Sequence, residues 1–285
     1  MSAPSETSPT ANAAEFFDKM AERYERFTGG CTREIAQFIL SQPPAVDSSS
    51  VVLDNACGTG IITKDILSDF PSADGQRPKI HAVDISSAMV SNIAGVAKAK
   101  GWDNGSDGLV GSSVMDAQDL TFSDNTFTHS YTNFGIFFVP EPEKAAGHIY
   151  RTLKPGGRAY VTSWAKLGYL PAILGAQKAV RPDSEEWSLP FGKEWFREEK
   201  LREVMVAGGF EAGKVQVVRK TTFYCGEDYE DLIDILKMGF GEHVTKGWSE
   251  EEKEKWELEV RGRLTDREKE EARFEMEAYV AIAEK

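Results

Sequence analysis

The stretch Val51-Val52-Leu53-Asp54-Asn55-Ala56-Cys57-Gly58-Thr59-Gly60 decides the fold of this 285-residue chain. Its apolar start predicts a buried strand, and its two glycines predict a tight turn into a helix that begins at Ile61. Such a turn points backbone N–H groups at a ligand. A dinucleotide-binding turn would need Gly or Ala at position 63, where this chain has Thr63. The pattern therefore argues against a pyrophosphate ligand and against a nicotinamide oxidoreductase.

Strand and helix patterns alternate along the chain after this turn. Strand patterns occur over 79–84, 109–115, 127–133 and 158–164, and helical patterns separate them over 61–69, 88–100 and 142–153. This alternation predicts an α/β fold with a parallel sheet between helices on both faces. The remaining patterns predict helices over 14–28, 32–40, 193–207 and 228–240, a helix that opens at Ser249, a turn over 154–157, and strands over 214–224 and 274–283.

Charge and cysteine content narrow the class of protein. The net charge is −13, and residues 226–285 contribute −9 of it with 19 acidic and 10 basic side chains. Nucleic-acid binders present a basic face, so this balance argues against a DNA or RNA partner. No run of eighteen apolar residues and no signal-peptide core occur, so we expect no membrane association. Cys31, Cys57 and Cys225 have no metal-ligand spacing and no even framework, which fits a reducing, cytoplasmic location without a metal.

Four polar side chains are predicted to meet at one edge of the sheet. In an open α/β sheet the ligand lies at the carboxyl ends of the strands, and Asp54, Asp84, Asp116 and Asn133 each end or follow a strand. Asp84 can accept two hydrogen bonds from a ribose diol. Asp116 can accept from an exocyclic amino group. A lone Asp after a strand is commonly only a helix N-cap, but four such residues on one edge favour a binding site.

The neighbours of these residues suit a purine. The backbone N–H of Ala117 can donate to a ring nitrogen of adenine. Ile85 and Met89 offer apolar surface to the base. The same edge of the sheet is therefore predicted to bind both a ribose and a purine.

These residues stand in motifs that resemble those of the class I methyltransferases that use S-adenosylmethionine, in the ubiquinone/menaquinone-type branch. In chain order the motifs are Leu53-Asp54-x-Ala-Cys57-Gly58-Thr59-Gly60, Asp84-Ile85-Ser86, Asp116-Ala117 and Leu153-Lys154-Pro155-Gly156-Gly157. The resemblance covers about residues 15–165 and is specific because the motifs occur in order at suitable spacings. It departs from the family at Asn55, where Gly or Val is commoner.

The resemblance implies a complete architecture. The sheet would be Rossmann-like, seven-stranded and mostly parallel, in the order 3-2-1-4-5-7-6, with helices on both faces and a helical cap. Residues 14–285 would form a single methyltransferase domain, with a helical lid over 14–42 and a helical insertion over 226–270 before the last strand. Residues 1–13, rich in Ser, Pro, Thr and Ala, are expected to be a disordered tail.

The resemblance also assigns roles around S-adenosylmethionine as the cofactor. Asp84 would hold the ribose, Asp54 would lie near the amino group, and Asn133 would lie beside the methionine moiety. Tyr24, on the N-terminal helix, would fold over the cofactor, although plain packing explains it equally well. The expected cofactor-binding residues are Tyr24, Asp54, Ala56, Gly58, Gly60, Asp84, Ile85, Met89, Asp116, Ala117 and Asn133.

A second resemblance concerns the substrate. Tyr131-Thr-Asn-Phe-Gly-Ile-Phe-Phe-Val-Pro140 and Ser163-Trp164-Ala165 resemble the fungal small-molecule methyltransferases of secondary metabolism, which include bis-thiomethyltransferases. This implies methylation of the thiols of a reduced epidithiodioxopiperazine such as dithiol gliotoxin. An aromatic lining suits an apolar, ring-containing small molecule, and we expect Phe16, Phe137 and Trp164 to contact it.

No residue is assigned as a general base. His81 and His129 lie inside predicted strands, His148 lies in a helix and His243 lies in the insertion, so each is interpreted as structural. A thiol has a reference pKa of about 8.5 and needs little help from a base, so this pattern favours a thiol or amine over an alcohol, although a tyrosine or water could serve. The alternatives are an O-, N- or C-methyltransferase of another small molecule, or a non-catalytic cofactor-binding partner subunit.

Overall fold

The computed structural model of the protein describes residues 9–21, 23–70, 77–103 and 109–285, with the backbone alone at 9–13 and 20. Seven strands form one sheet in the order β3-β2-β1-β4-β5-β7-β6. Strands β1 to β5 pair in parallel, and β7 pairs antiparallel with both β5 and β6. This confirms the predicted fold class and strand order. The strands are β1 Val51–Asn55, β2 Lys79–Asp84, β3 Val110–Val114, β4 Phe127–Thr132, β5 Leu153–Lys166, β6 Val215–Cys225 and β7 Arg273–Glu284.

Helices surround this sheet and bury one continuous apolar core against it. Three of them precede the first strand, five lie between β1 and β6, and the remaining four lie between β6 and β7. In chain order they are α1 Pro9–Met20, α2 Tyr24–Phe27, α3 Cys31–Leu40, α4 Ile61–Ser68, α5 Ser87–Lys100, α6 Pro142–Thr152, α7 Leu170–Val180, α8 Glu198–Ala207, α9 Tyr229–Leu236, α10 Glu242–Val244, α11 Glu250–Arg263 and α12 Asp266–Glu270. None of the helices in the described ranges has the length and apolar character that a bilayer crossing requires.

The N-terminal region differs from its prediction. Helix α1 already begins at Pro9, so residues 9–13 are helical rather than part of a disordered tail. Residues 1–8 of that expected tail lie outside the described residues. The helix predicted over 14–28 is divided into α1 and α2, because a turn interrupts it between Met20 and Tyr24. The lid therefore consists of three short helices.

The segment Lys154–Gly157 was predicted as a turn but belongs to β5. The reason is a contact from the other end of the chain. The backbone N–H of Gly156 donates to the carbonyl of Lys285, and the N–H of Lys285 donates to the carbonyl of Gly157. The predicted helix over 193–207 is likewise divided into a 3₁₀ turn, Lys193–Phe196, and α8.

The insertion before β7 packs against the lid. Helix α9 continues into a π-helical turn, Lys237–Gly241, whose Phe240 lies 5.1 Å from Phe27 between ring centroids. Gly239 makes this approach possible, because a Cβ there would lie 2.1 Å from the Phe27 ring. Arg26 also forms an ion pair with Asp231 of α9. The lid and the insertion thus form one cover beside the carboxyl ends of the parallel strands.

Candidate functional site

The turn after β1 has an unusual backbone. Ala56, Gly58 and Gly60 all adopt positive φ, at 52°, 53° and 79°. For Ala56 this conformation is strained, and such strain is characteristic of ligand sites. Gly60 is required for packing, because a Cβ there would lie 2.4 Å from Cδ1 of Ile93 in α5. The turn is therefore held tightly between β1 and α5.

Asp84, the last residue of β2, ties this turn to the next strand. Its Oδ2 accepts from the N–H of Gly58 at 2.8 Å, and its Oδ1 accepts from the N–H of Ser86 at 2.9 Å. The side chain is 7% exposed, and burial raises the pKa of its carboxyl. A carboxylate has about four acceptor positions, so it can accept from a diol hydroxyl in addition to the backbone N–H groups of Gly58, Ser86 and Ile85.

Asp54 lies behind the turn rather than at its surface. Its Oδ2 accepts from the hydroxyl of Thr63 at 2.6 Å and from the N–H of Thr63 at 3.1 Å. Burial raises the pKa of Asp54 to about 7, and the nearby charge of Asp84 adds to this. Thr63, the residue that breaks the dinucleotide pattern, is therefore the anchor of a buried carboxyl. Asp54 itself does not line the cavity beside this turn, and its place near the amino group of the cofactor stays a prediction.

The end of β4 forms the opposite wall. Phe134 adopts a φ of 58°, and its N–H donates to the hydroxyl of Thr162 at 2.8 Å. That hydroxyl donates to Oδ1 of Asn133, whose amide donates to the carbonyl of Thr32 in the lid. Gly135 has no room for a side chain, since a Cβ there would lie 2.5 Å from the Cβ of Ala56. The ends of β1 and β4 are thus in contact through these two small residues.

Asp116 stands at the end of β3, in the position predicted to bind an exocyclic amino group. The backbone N–H and the side-chain amide of Gln118 both donate to its carboxylate, at 2.9 Å and 3.1 Å. Gln118 also accepts from the N–H of Glu141, at 2.7 Å. Gln118 therefore orients Asp116 and joins it to the start of α6. Nothing in the local sequence pattern indicated this role.

These strand ends line a first cavity that is partly open to solvent and holds about 660 Å³ of space free of protein atoms. Asp84, Asp116 and Asn133 contribute polar side chains to this cavity, and most of the other residues that line it are apolar. Its lining residues are Phe17, Tyr24, Ala56, Gly58, Asp84, Ile85, Met89, Met115, Asp116, Ala117, Asn133, Phe134, Gly135, Phe138, Val139 and Pro140. The structure brings all the expected cofactor-binding residues to this lining except Asp54 and Gly60. Gly60 does not line the cavity because it packs against Ile93 of α5.

Two contacts hold the lid over the first cavity. Oδ1 of Asp18 in α1 accepts from the hydroxyl of Ser86 at 2.5 Å and from the N–H of Ala88 at 3.0 Å, at the N-terminus of α5. Glu25 in α2 accepts from the hydroxyl of Thr59 in the glycine turn and from the amine of Lys64. The lid is thereby attached to the same segments that form the cavity. Neither acid was identified from the sequence.

A second cavity, also partly open to solvent and with about 640 Å³ of space free of protein atoms, adjoins the first. Phe17, Tyr24, Phe134 and Phe138 line both cavities and separate them. The three expected substrate residues, Phe16, Phe137 and Trp164, all line the second cavity. The others are Phe27, Thr28, Cys31, Thr32, Leu167, Tyr169, Leu189, Pro190, Phe191, Tyr224, Phe240 and Met276.

The histidines lie away from both cavities. His81 packs edge-on against Phe122 and Phe127, and burial lowers its pKa. His129 contacts the carbonyl of Pro44 at 3.1 Å. Nδ1 of His148 accepts from Nε of Arg151 at 3.2 Å, and the ring centroid of His243 lies 5.5 Å from that of Phe16. None of the four histidines lines either cavity, and their structural role stays a prediction.

Comparison with known proteins identifies the class. Residues 53–161 match the family model described as a methyltransferase domain. The methyltransferase tpcH of Aspergillus fumigatus is 25% identical over 74% of this chain and 73% of its own. The acetylaranotin bis-thiomethyltransferase of Aspergillus terreus is 25% identical over 80% of this chain and 79% of its own. The ubiquinone/menaquinone biosynthesis C-methyltransferase UbiE of Pseudomonas aeruginosa is 29% identical over 72% and 84%.

A structural alignment with a solved structure supports the fold. The cyclase SpnF aligns with a TM-score of 0.58 at 15% identity and covers 99% of this chain and 97% of its own. That likeness concerns the fold alone. Together with the matching domain, the fold and the site define an S-adenosylmethionine-dependent methyltransferase. Within this class the chain is of the secondary-metabolite type. The enzyme class, the cofactor and the resemblance expected from the sequence are confirmed.

Proposed function

We propose that this enzyme methylates a thiol of an uncharged, ring-containing small molecule, of which a reduced epidithiodioxopiperazine such as dithiol gliotoxin is the best example. In this proposal S-adenosylmethionine binds in the first cavity and the acceptor binds in the second. The observation that carries the proposal is the shared wall of the two cavities, at Phe17, Tyr24, Phe134 and Phe138. A donor and an acceptor on either side of one wall can be aligned for an in-line transfer.

The first cavity fits the cofactor by its donors and acceptors. Asp84 offers two acceptor positions to the ribose hydroxyls, and Asp116 and the N–H of Ala117 offer an acceptor and a donor to the adenine. The strained turn at Ala56 and Gly58 leaves room for the remaining part of the cofactor beside Asn133. When bound, S-adenosylmethionine supplies a methyl group that its sulfonium charge has already made electrophilic.

The second cavity supports an apolar and uncharged acceptor. Within the described part of the chain, none of its lining residues is acidic, basic or a histidine. Phe134 and Trp164 stack with their centroids 4.0 Å apart, and Phe137 lies 4.6 Å from Phe191. Such aromatic walls bind ring systems by apolar contact. The protein contributes alignment and exclusion of water here rather than charge.

The missing base supports a thiol as the acceptor. Burial, followed by the neighbouring Cys31 and Asp84, raises the pKa of Tyr24, so its hydroxyl stays protonated near neutral pH and cannot act as a base. An alcohol would need a positioned base to lose its proton. A thiol, with a pKa of about 8.5, is already partly ionised near neutral pH. The bis-thiomethyltransferase named among the relatives acts on the same kind of atom.

The test is methyl transfer from labelled S-adenosylmethionine to dithiol gliotoxin, followed by mass spectrometry. We expect a mass increase of two methyl groups on the dithiol. A parallel panel contains a monothiol, an amine, a phenol and a carbon acid of similar size. Calorimetry with S-adenosylmethionine establishes separately that the cofactor binds.

The outcomes separate the alternatives. Labelling of the phenol or the carbon acid alone would overturn thiol methylation and favour an O- or C-methyltransferase. Cofactor binding without turnover on any acceptor would favour a non-catalytic, cofactor-binding subunit.

A further inference from the structure

Three polar side chains that the lid contributes to the wall of the second cavity, those of Thr28, Cys31 and Thr32, donate hydrogen bonds within the lid. The hydroxyl of Thr28 donates to the carbonyl of Glu25, and the hydroxyl of Thr32 donates to that of Thr28. The thiol of Cys31 donates to the carbonyl of Thr28 at 2.9 Å. These three donors are therefore already used within the lid.

The hydroxyl of Tyr224 differs from these three donors. This residue of β6 lines the second cavity and is 1% exposed, and its hydroxyl is buried without a hydrogen-bond partner in the described parts of the chain. Buried hydroxyls are normally paired, because an unpaired one loses its hydration without compensation. Burial raises the pKa of Tyr224, so the hydroxyl keeps its proton and is a donor.

The ring of Tyr224 is held in place on two sides. Gly29 in the lid packs against it so closely that a Cβ there would lie 2.9 Å from Cγ of the ring. Tyr169 contacts it edge-on, with the centroids 5.1 Å apart. A hydroxyl on a fixed ring is oriented before a ligand arrives, which favours its use in recognition.

We propose that the Tyr224 hydroxyl donates a hydrogen bond to a carbonyl oxygen of the acceptor and thereby selects oxygen-bearing rings over hydrocarbon rings. This inference rests on the proposed function, in that it places the acceptor in the second cavity. A dioxopiperazine ring carries two amide carbonyls, so it offers the required acceptor atom. Tyr224 acts here as a specificity-determining residue and has no part in the transfer step.

Tyr131 provides a matched control. It lies in β4, it is fully buried, and its hydroxyl also has no partner among the described residues. Its ring stacks on Tyr160 at 4.9 Å, and it lines neither cavity. Any effect that comes only from removing an unpaired hydroxyl should therefore be the same in Tyr131→Phe and Tyr224→Phe.

The experiment measures the affinities of two uncharged isosteres by calorimetry, in the full chain saturated with S-adenosylhomocysteine. The probes are 2-acetylnaphthalene and 2-isopropenylnaphthalene, in which a methylene group replaces the carbonyl oxygen. A neutral hydrogen bond in a buried site corresponds to a preference of about fivefold for the ketone. We expect this preference in the wild type and in Tyr131→Phe, and its loss in Tyr224→Phe.

Three results would overturn the inference: equal affinities in the wild type, a preference that survives in Tyr224→Phe, or no binding of either probe. Thermal unfolding of both variants shows that they are folded, and we expect neither to be less stable than the wild type. The readout is binding, so it stays informative if thiol methylation is absent. Loss of methylation with an intact, Tyr224-dependent preference would reject the proposed reaction and keep the role of Tyr224.

Discussion

The two adjoining cavities differ in the way they are built. The first is formed mainly by the ends of β1 to β4, where polar side chains and strained backbone follow directly from the strands. The second is formed mostly by aromatic side chains from the lid, from the segment after β4, from β5 and the segment after it, from β6 and from the insertion, and β7 adds Met276. The first cavity is thus built mainly by the parallel strands of the sheet, while the second is built mainly by the lid, the insertion and the other segments around the sheet.

This difference explains why the methyl donor can be identified from the sequence and the structure, while the methyl acceptor is only proposed. The polar groups of the first cavity, Asp84 and Asp116, stand in short motifs with fixed spacing. The second cavity depends on side chains as far apart in sequence as Phe16 and Met276. Changes in the first cavity should therefore affect cofactor binding and pH response, and changes in the second should affect the acceptor alone.

The largest expected effect is a pH dependence of the free energy of unfolding that is caused by the buried carboxyl of Asp54, behind the first cavity. The pKa of Asp54 is raised to about 7 in the folded chain, from an ordinary value near 4 in the unfolded chain. Between these values the folded state binds the additional proton. The stabilising contribution of Asp54 to the free energy of unfolding is therefore fully present below about pH 4. It is lost as the pH rises through about 7, and the total loss is roughly 4 kcal/mol.

This prediction is measured with Asp54→Asn, which keeps an acceptor for Thr63 but does not titrate. Urea unfolding at several values between pH 4 and 8 gives the free energy of unfolding of both proteins. We expect the variant to gain stability relative to the wild type as the pH rises. A constant difference across this range would show that the carboxyl titrates normally.

The next effect concerns the cofactor. Asp84→Ala removes the acceptor for Gly58 and Ser86 as well as the proposed ribose contact, so we expect S-adenosylmethionine affinity to fall by about 1–3 kcal/mol, or about 5- to 150-fold. Calorimetry measures the Kd. Asp124→Ala is the control, because Asp124 pairs with Arg151 outside both cavities. Unchanged affinity in Asp84→Ala would show that the ribose binds elsewhere.

The contact between the ends of β1 and β4 can be tested with a single methyl group. Gly135→Ala places a Cβ against that of Ala56, and overpacking of this kind costs about 1–3 kcal/mol. We expect lower stability and weaker cofactor binding, measured by thermal unfolding and calorimetry. Gly95→Ala in α5 is the matched control, since a Cβ there meets nothing within 4 Å. A Gly135→Ala protein as stable as this control would disprove the close approach.

The smallest effect separates the two cavities directly. Phe16→Ala shortens a side chain of the second cavity, and Ile85→Ala shortens one of the first. Each loses apolar contact of about 1 kcal/mol. We expect Phe16→Ala to raise the KM of the acceptor several-fold and to leave the Kd of the cofactor unchanged. We expect Ile85→Ala to raise the Kd of the cofactor several-fold and to leave the KM of the acceptor unchanged. Equal effects of either variant on both ligands would mean that the cavities are not separate sites.

Much of the first cavity could be predicted because its residues follow strand ends. The rule that ligands bind at the carboxyl ends of parallel strands placed Asp84, Asp116 and Asn133 together without coordinates. The same rule placed Asp54 there too, and failed to show that Thr63 draws its carboxyl behind the turn. A strand-end position fixes where a backbone lies, while the direction of a side chain depends on its partners.

The lid and the C-terminal half were less predictable. No local pattern indicated that Asp18 would reach Ser86, that Gln118 would orient Asp116, or that Lys285 would hold the segment before Gly157 in β5. Each of these contacts joins residues from different elements, and such pairings leave no periodic signal in either segment.

The sequence by itself determined the fold class, the strand order through its resemblance, and the chemistry of the cofactor edge, because these depend on periodicity and on motifs of adjacent residues. Only the tertiary structure decided that Asp54 and Gly60 brace the site, that Tyr24 lies between two cavities, and that the Tyr224 hydroxyl is buried without a partner. The physical reason is that burial and hydrogen-bond pairing are properties of neighbours in space. For the second cavity those neighbours come from every part of the chain.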